Sequence, residues 1–435
     1  MIFGFGKSQE DEEEFEEEIE PVSFQGALNG QPANLKENAR LVKAGLVPAK
    51  DIVTDGLAIR AQLMRFEPKG ERYQVIFYVD GVANPGPKLS KQQGMAVVQV
   101  IKLLSGMNIQ ERKRPQSGGV FAELEEVSYQ LRVATSPTGA GERLSIKAIN
   151  VKEPLDRSDD IGITEENKLK IRELCSGRNG LVLVGGSPNS GTTTTTFGAV
   201  RSIDAYQYTI FSLADPEHRD FSHISTSEKR EDDTLNDELK RIIRMEADLI
   251  YINPITDEEY VQSILKVINE ITMIAEISAK DSVSGMIKFC KLAGGLETGV
   301  NALRCVIGQK LIRTLCDQCR EAFRPNPKLI EKMGLPKSTK MLYRPPRETV
   351  DEEGNELESC EKCEGLGYYG RTLMMEIIEM TDEMKQLIIG GAVPGKIRAF
   401  AKKQGMPTFQ KDGIRLVAEG KVSLDELQRV FKSKE

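Results

Sequence analysis

An apolar, β-branched run, Gly180-Leu-Val-Leu-Val184, leads directly into Gly186-Ser187-Pro188-Asn189-Ser190-Gly191-Thr192-Thr193 and from there into a helical pattern. Strand, glycine turn and helix in that order form the unit that builds a parallel sheet with helical crossovers, and the turn then lies at the carboxyl end of its strand. The loop type G-x-x-x-x-G-K-[ST] closes backbone N–H groups around phosphate oxygens. Its lysine reaches the β- and γ-phosphates, and its last hydroxyl holds Mg²⁺. Here the glycines and the Thr193 hydroxyl are present, but Thr192 stands where the lysine belongs. An ordinary strand-to-helix turn is the competing reading. The stretch Thr192 to Thr196 supplies hydroxyls and no cation, so ATP and Mg²⁺ are expected to bind weakly if they bind.

The pattern around this loop repeats its alternation. A helix over Thr164 to Leu174 comes before it. After it follow strand Tyr208–Leu213, helix Leu235–Met245, strand Asp248–Ile252, helix Asp257–Asn269 and strand Thr272–Ile277. This predicts an α/β domain over 163–435. Upstream, Tyr73–Val79, Tyr129–Val133 and Leu144–Ala148 read as strands and Gly94–Leu104 as a helix, which predicts a small α+β domain over 41–152. The charged stretch 153–162, with Pro154, reads as a linker.

The chain has 435 residues, 39% hydrophobic and 29% charged, which suits more than one globular core. Nine of its acids fall within Glu10–Glu20, so the net charge of −7 becomes +2 without them. A nearly neutral body argues against a nucleic-acid footprint. Residues 1–40 read as a disordered acidic tail, either solubilising or a docking segment. No apolar run reaches the roughly 20 residues of a bilayer span, and the opening seven residues are too short for a signal peptide, so a cytoplasmic location is expected.

Four of the seven cysteines are paired by spacing as Cys316-Asp-Gln-Cys319 and Cys360-Glu-Lys-Cys363. Two C-x-x-C turns offer four thiolates to one tetrahedral Zn²⁺, a structural site pinning the excursion between them; a redox pair or unconnected thiols are the alternatives. Cys175, Cys290 and Cys305 sit in apolar contexts and read as core. Asp215, at the end of its strand in Ala214-Asp-Pro216, could act on water or metal, or simply form a turn before proline. The strand ending at Ile252 is followed by Asn253-Pro254, and Pro254 cannot accept a proton as a general base must.

Residues from about 50 to about 430 resemble the hexameric ATPases that drive type II secretion and type IV pilus assembly. The resemblance rests on Phe66-Glu-Pro68, Val79-Asp-Gly81, Ile101 to Ile109, Arg114-Pro-Gln116, Leu131-Arg-Val133, Pro137-Thr138, Gly141-Glu142, the loop, Asp215-Pro216, Val306 to Cys319 and Cys360 to Arg371. It implies a PAS-like N-terminal domain, a RecA-like P-loop NTPase domain carrying a tetracysteine zinc element at about 312–371, and nucleotide between the two. It also implies a homo- or hetero-oligomer, a hexameric ring, at the cytoplasmic face of an inner-membrane platform protein. The departures fall on chemistry. Thr192 replaces the lysine, Ala214 a glutamate, and Asn253-Pro254 glycine and the catalytic glutamate. Thr272 and Ala279 stand at two histidine positions, and Ile76, Tyr78 and Gly119 at arginine positions. The reading is therefore a pseudo-ATPase acting as a structural or regulatory ring subunit. The alternatives are a motor with a rearranged site, in which Thr193 and Asp215 hold Mg²⁺, and a sensor that binds nucleotide without turnover.

Overall fold

The computed structural model describes residues 20–152, 161–177, 179–204, 206–214, 219, 222–227, 233–347 and 359–432. The acidic run, most of the expected linker and Asp215 lie outside them. The chain divides at 153/154 into two compact units.

The N-terminal unit contains β1 (Ser23–Ala27), α1 (Ala39–Ala58), β2 (Leu63–Lys69), β3 (Arg72–Val79), β4 (Val82–Ser90), α2 (Lys91–Leu104), β5 (Gln116–Leu124), β6 (Val127–Thr138) and β7 (Gly141–Asn150). Its strands form an antiparallel sheet in the order β1-β5-β6-β7-β2-β3-β4. In β3 the burial alternates along Tyr73, Val75, Phe77 and Val79, as a sheet with one packed face requires. Helix α2 lies on that face and begins at a capping box, Ser90 with Gln93. A disordered tail reaching residue 40 is corrected by β1, which pairs Ser23 with Glu123 and Ala27 with Val120. Val22 is fully buried, and its N–H donates to Thr54 Oγ1 at 2.8 Å. Behind α2, fully buried Lys102 donates to Glu142 Oε1 at 2.7 Å and to the Glu111 carbonyl at 2.7 Å. A cavity of about 190 Å³ opens beside this pair, lined by Tyr73, Gln99, Arg112 and Glu142 among others.

The second unit contains α3 (Glu165–Cys175), β8 (Gly180–Gly186), α4 (Thr192–Arg201), β9 (Ile210–Ser212), β10 (Ser225–Thr226), α5 (Leu235–Arg244), β11 (Leu249–Tyr251), α6 (Glu258–Leu265), β12 (Thr272–Ser278), α7 (Ser282–Leu292) and α8 (Leu296–Ala302). It continues with β13 (Leu303–Leu315), β14 (Glu321–Phe323), α9 (Pro327–Met333), β15 (Leu342–Arg344), β16 (Tyr368–Glu379), α10 (Asp382–Ile389), α11 (Pro394–Lys403), α12 (Phe409–Ala418) and α13 (Leu424–Lys432). The main sheet runs β10-β9-β11-β12-β8-β13-β16 and is parallel except for β16. Leu181 and Leu183 of β8 pack into the cluster that holds α6, α7 and α8, while Val182 and Val184 pack with α3 and α4. Both faces are covered, so the strands are apolar without alternation. Beyond this core, β13 and β16 extend as a long antiparallel pair that carries the small β14–β15 sheet and a separate apolar cluster with α12 and α13. Among the described residues no helix is long and apolar enough to cross a membrane.

Candidate functional site

Glycine chemistry shapes the turn after β8. Gly191 holds φ +80° at the start of α4, and Asn189 holds +64°, one of the residue types that best tolerates that region. A Cβ on Gly186 would stand 2.2 Å from Ser190 Oγ, so Ser190 folds back across the base of the loop. Its N–H donates to the Ser187 carbonyl at 3.0 Å, and its carbonyl accepts from Gln309 Nε2 of β13 at 2.7 Å. Gln309 is fully buried. The Thr195 N–H closes the first helical turn on Gly191 O at 3.0 Å, and no side chain caps α4.

The Thr193 hydroxyl, the group expected to hold Mg²⁺, donates to Glu276 Oε2 at 3.0 Å. Glu276 lies on β12, next to β8 in the sheet, and its other oxygen accepts from Tyr251 OH of β11 at 3.1 Å. It is 4% exposed. Sequence reasoning passed over Glu276, Tyr251 and Gln309; the available signal was one acid within the otherwise uncharged run Thr272–Ser278. A second, partly buried carboxylate stands on the edge strand. Glu376 of β16 accepts from the Ser282 N–H at 2.9 Å at the start of α7, and burial raises its pKa above the usual carboxylate range. Arg219 approaches α4 from another side, with Nη2 donating to Thr194 Oγ1 at 3.2 Å and its guanidinium over the Phe197 ring at 5.5 Å.

The positions where chemistry was expected to be missing now have local explanations. Asn253 Nδ2 donates to the Leu213 carbonyl at 3.1 Å, tying the end of β11 to the segment after β9. Thr272 Oγ1 donates to Gly177 O at 2.5 Å, and the Ala279 N–H donates to Gly186 O at 3.0 Å; both serve backbone connections. In the first unit, Tyr78 OH accepts from Arg65 Nη1 at 3.2 Å. A Cβ on Gly119 would lie 2.4 Å from Leu28 Cδ1 and 2.9 Å from Leu131 O, so the space for an arginine there is filled.

Cys316, Cys319, Cys360 and Cys363 come together with all four Sγ atoms within 4.8 Å of one another. Cys316 Sγ is 3.9 Å from Cys360 Sγ, and Cys319 Sγ is 3.5 Å from Cys363 Sγ. A tetrahedral Zn²⁺ with Zn–S bonds near 2.3 Å sets S···S edges at about 3.8 Å, so the donor set fits that ion. The Gly367 N–H donates to Cys363 Sγ at 3.3 Å, the kind of contact that supports a thiolate ligand. A backbone hydrogen bond at Cys363 lowers the Cys360 thiol to about 7, while burial raises Cys319. All seven cysteines are free of disulfides, and Cys175, Cys290 and Cys305 are buried core residues.

The sequence matches the family model "Type II/IV secretion system protein" over residues 39–429. The chain belongs to the type II/IV secretion system protein family. Within that family it is 25% identical over 388 residues to the type IV pilus assembly ATPase PilB of Thermus thermophilus, covering 87% of this chain and 42% of the relative. To type II secretion system protein E of Xanthomonas campestris pv. campestris it is 25% identical over 386 residues, 87% of this chain and 66% of the relative. HxcR of Pseudomonas aeruginosa, a type II secretion system protein, is 26% identical over 436 residues, 99% of this chain and 84% of its own length. The chain thus spans less than two thirds of the first two relatives. Among solved structures it is similar to the Legionella pneumophila ATPase DotB, with TM-score 0.54, 12% identity, and coverage of 89% of this chain and 96% of that one. The pilus retraction motor PilT with bound ADP gives TM-score 0.50 at 15% identity, covering 88% and 96%. At these identities the likeness shows a shared α/β fold.

Proposed function

We propose that this protein is a pseudo-ATPase of a type II secretion or type IV pilus assembly system, serving as a structural or regulatory subunit of a ring. The observation that carries the reading is the phosphate loop. The turn after β8 keeps a left-handed Gly191 at the start of α4, yet Thr192 brings no cation and the Thr193 hydroxyl donates to the Glu276 carboxylate. Hydrolysis of a phosphoanhydride needs charge neutralisation on the γ-phosphate and a positioned water, each worth a few kcal/mol of transition-state stabilisation. Asn253-Pro254 supplies no base. The relatives called PilB and DotB are named as ATPases, and the family membership supports the machinery to which the chain is assigned.

On this reading the second unit is the RecA-like domain, the first unit is the PAS-like domain, and the ring is hexameric. The ring docks on an inner-membrane platform protein from the cytoplasmic side. Zn²⁺ held by Cys316, Cys319, Cys360 and Cys363 contributes folding energy and, with four protein ligands, leaves no open position for water.

The rearranged motor keeps one observation in its favour: a hydroxyl beside a carboxylate, Thr193 with Glu276, is a pairing that can hold Mg²⁺. Phosphate release from ATP and Mg²⁺ by the purified chain separates the two. Release at background, with and without the cytoplasmic part of the platform, is expected. Magnesium-dependent release abolished by Thr193→Ala would refute the pseudo-ATPase. Purification from the native cell after mild crosslinking should recover secretion or pilus components, and a monomer recovering none would count against the ring subunit.

A further inference from the structure

We infer that Glu276 is a built-in occupant of the phosphate loop, an internal anion that closes the loop to nucleotide independently of the missing lysine. Among the described residues, the carboxylate meets two hydroxyl donors, Thr193 Oγ1 at 3.0 Å and Tyr251 OH at 3.1 Å, and no hydrogen bond or ion pair from lysine or arginine. A carboxylate at 4% exposure without a cation is costly unless something else favours the charge. The first turn of α4 does so. Thr193 is its second residue, and the positive end of a helix attracts an anion just as it attracts a phosphate. Glu276 therefore draws on the same favourable field that a nucleotide would use, and it sets a negative charge beside the hydroxyl that opens α4.

One further contact holds the loop in this closed form. Gln309 Nε2 clamps the Ser190 carbonyl at 2.7 Å. Among the described residues, Ser190 Oγ and Gln309 Oε1 are both buried without a hydrogen-bond partner, at the base of the loop. Relative to a phosphate loop with lysine and an uncharged strand residue, Thr192 removes one positive charge and Glu276 adds one negative charge. The cradle has swung by two unit charges against anions. Restoring the lysine reverses half of that swing and leaves the carboxylate in place.

This inference rests on the reading that the loop does not turn over nucleotide, and it fails separately from it. The test is calorimetric titration of the full-length, zinc-loaded chain with Mg²⁺ and ADP, on the unmodified protein and on Thr192→Lys, Glu276→Gln and the double variant. Thr192→Lys alone is expected to bind little, and the double variant to bind tighter than it by about tenfold or more, since a like charge a few ångströms from phosphate is removed. A merely structural glutamate would lower the melting temperature on substitution without opening the loop. Thr192→Lys binding as tightly as the double variant would overturn the inference, as would a folded double variant that takes no nucleotide. Loss of wild-type binding on Glu276→Gln would overturn it in favour of a metal ligand. Should Glu276→Gln not fold, Glu276→Ser is read in the same way, and Thr192→Lys, which alters no fully buried group, decides alone if it binds tightly. Phosphate release by the unmodified chain is scored apart and bears on the pseudo-ATPase reading only.

Discussion

Glu426 ties the last helix to the base of the cysteine excursion, and replacing it with glutamine should destabilise the second unit by about 3 kcal/mol. Its side chain is fully buried on α13. Oε2 accepts from Arg313 Nη2 at 2.7 Å and from Arg429 Nε at 2.7 Å, while Oε1 accepts from Arg429 Nη2 at 2.7 Å and from the Arg313 N–H at 3.2 Å. Arg313 sits three residues before Cys316 and also lies 3.9 Å over the Tyr368 ring. Burial opposes ionisation of Glu426, but hydrogen bonds from Arg429 and Arg313 and their charges outweigh it, taking the carboxyl from 4.5 down to about 2. A drop of that size corresponds to about 3 kcal/mol of favoured ionised form. The folded pKa is depressed, so the contribution is fully present above the unfolded value of 4.5 and fades as pH falls through about 2. Glutamine removes the charge and leaves two guanidiniums with a weaker partner, at a cost in the range of broken buried pairs. Urea denaturation at pH 7 should show the gap, with a melting temperature lower by about 5–10 °C. The difference between wild type and Glu426→Gln should shrink at pH 3. A gap under about 1 kcal/mol at pH 7, or one that does not change with pH, would refute the clamp.

Metal analysis should find one zinc per chain, and Cys360→Ser should reduce this sharply while protease sensitivity rises around 316–371; a full zinc complement in that variant would show that the four thiolates do not act together. Gly119→Arg, which places an arginine where the family resemblance expects one, should cost about 1–3 kcal/mol through overpacking against Leu28, with Leu28→Ala recovering part of the loss. Unchanged thermal stability of Gly119→Arg would mean that the edge of the first sheet yields more easily than its packing implies.

Much of this protein could be read locally. The strand, glycine turn and helix at 180–201 and the two C-x-x-C pairs each lie within short stretches, where propensity and spacing act directly. The apolar strands β8 and β12 announced a sheet covered on both faces because all their residues but the first of β8 and the last of β12 are buried, whichever face they point to. Strand β1 was not legible, since its stability comes from pairing with β5, about a hundred residues away, and from Val22 packing under α1. Its own polar composition reads as tail. Glu276 was hidden for the same kind of reason. Nothing within Thr272–Ser278 says that this strand lies beside β8; the crossover order of the sheet decides that, and it alone brings a carboxylate from residue 276 to a hydroxyl at 193. The sequence by itself determined that the turn after β8 carries hydroxyls and no cation, because each is a residue type at a fixed spacing. Tertiary structure decided what stands beside them, because hydrogen bonds between strands depend on neighbours that chain order does not specify.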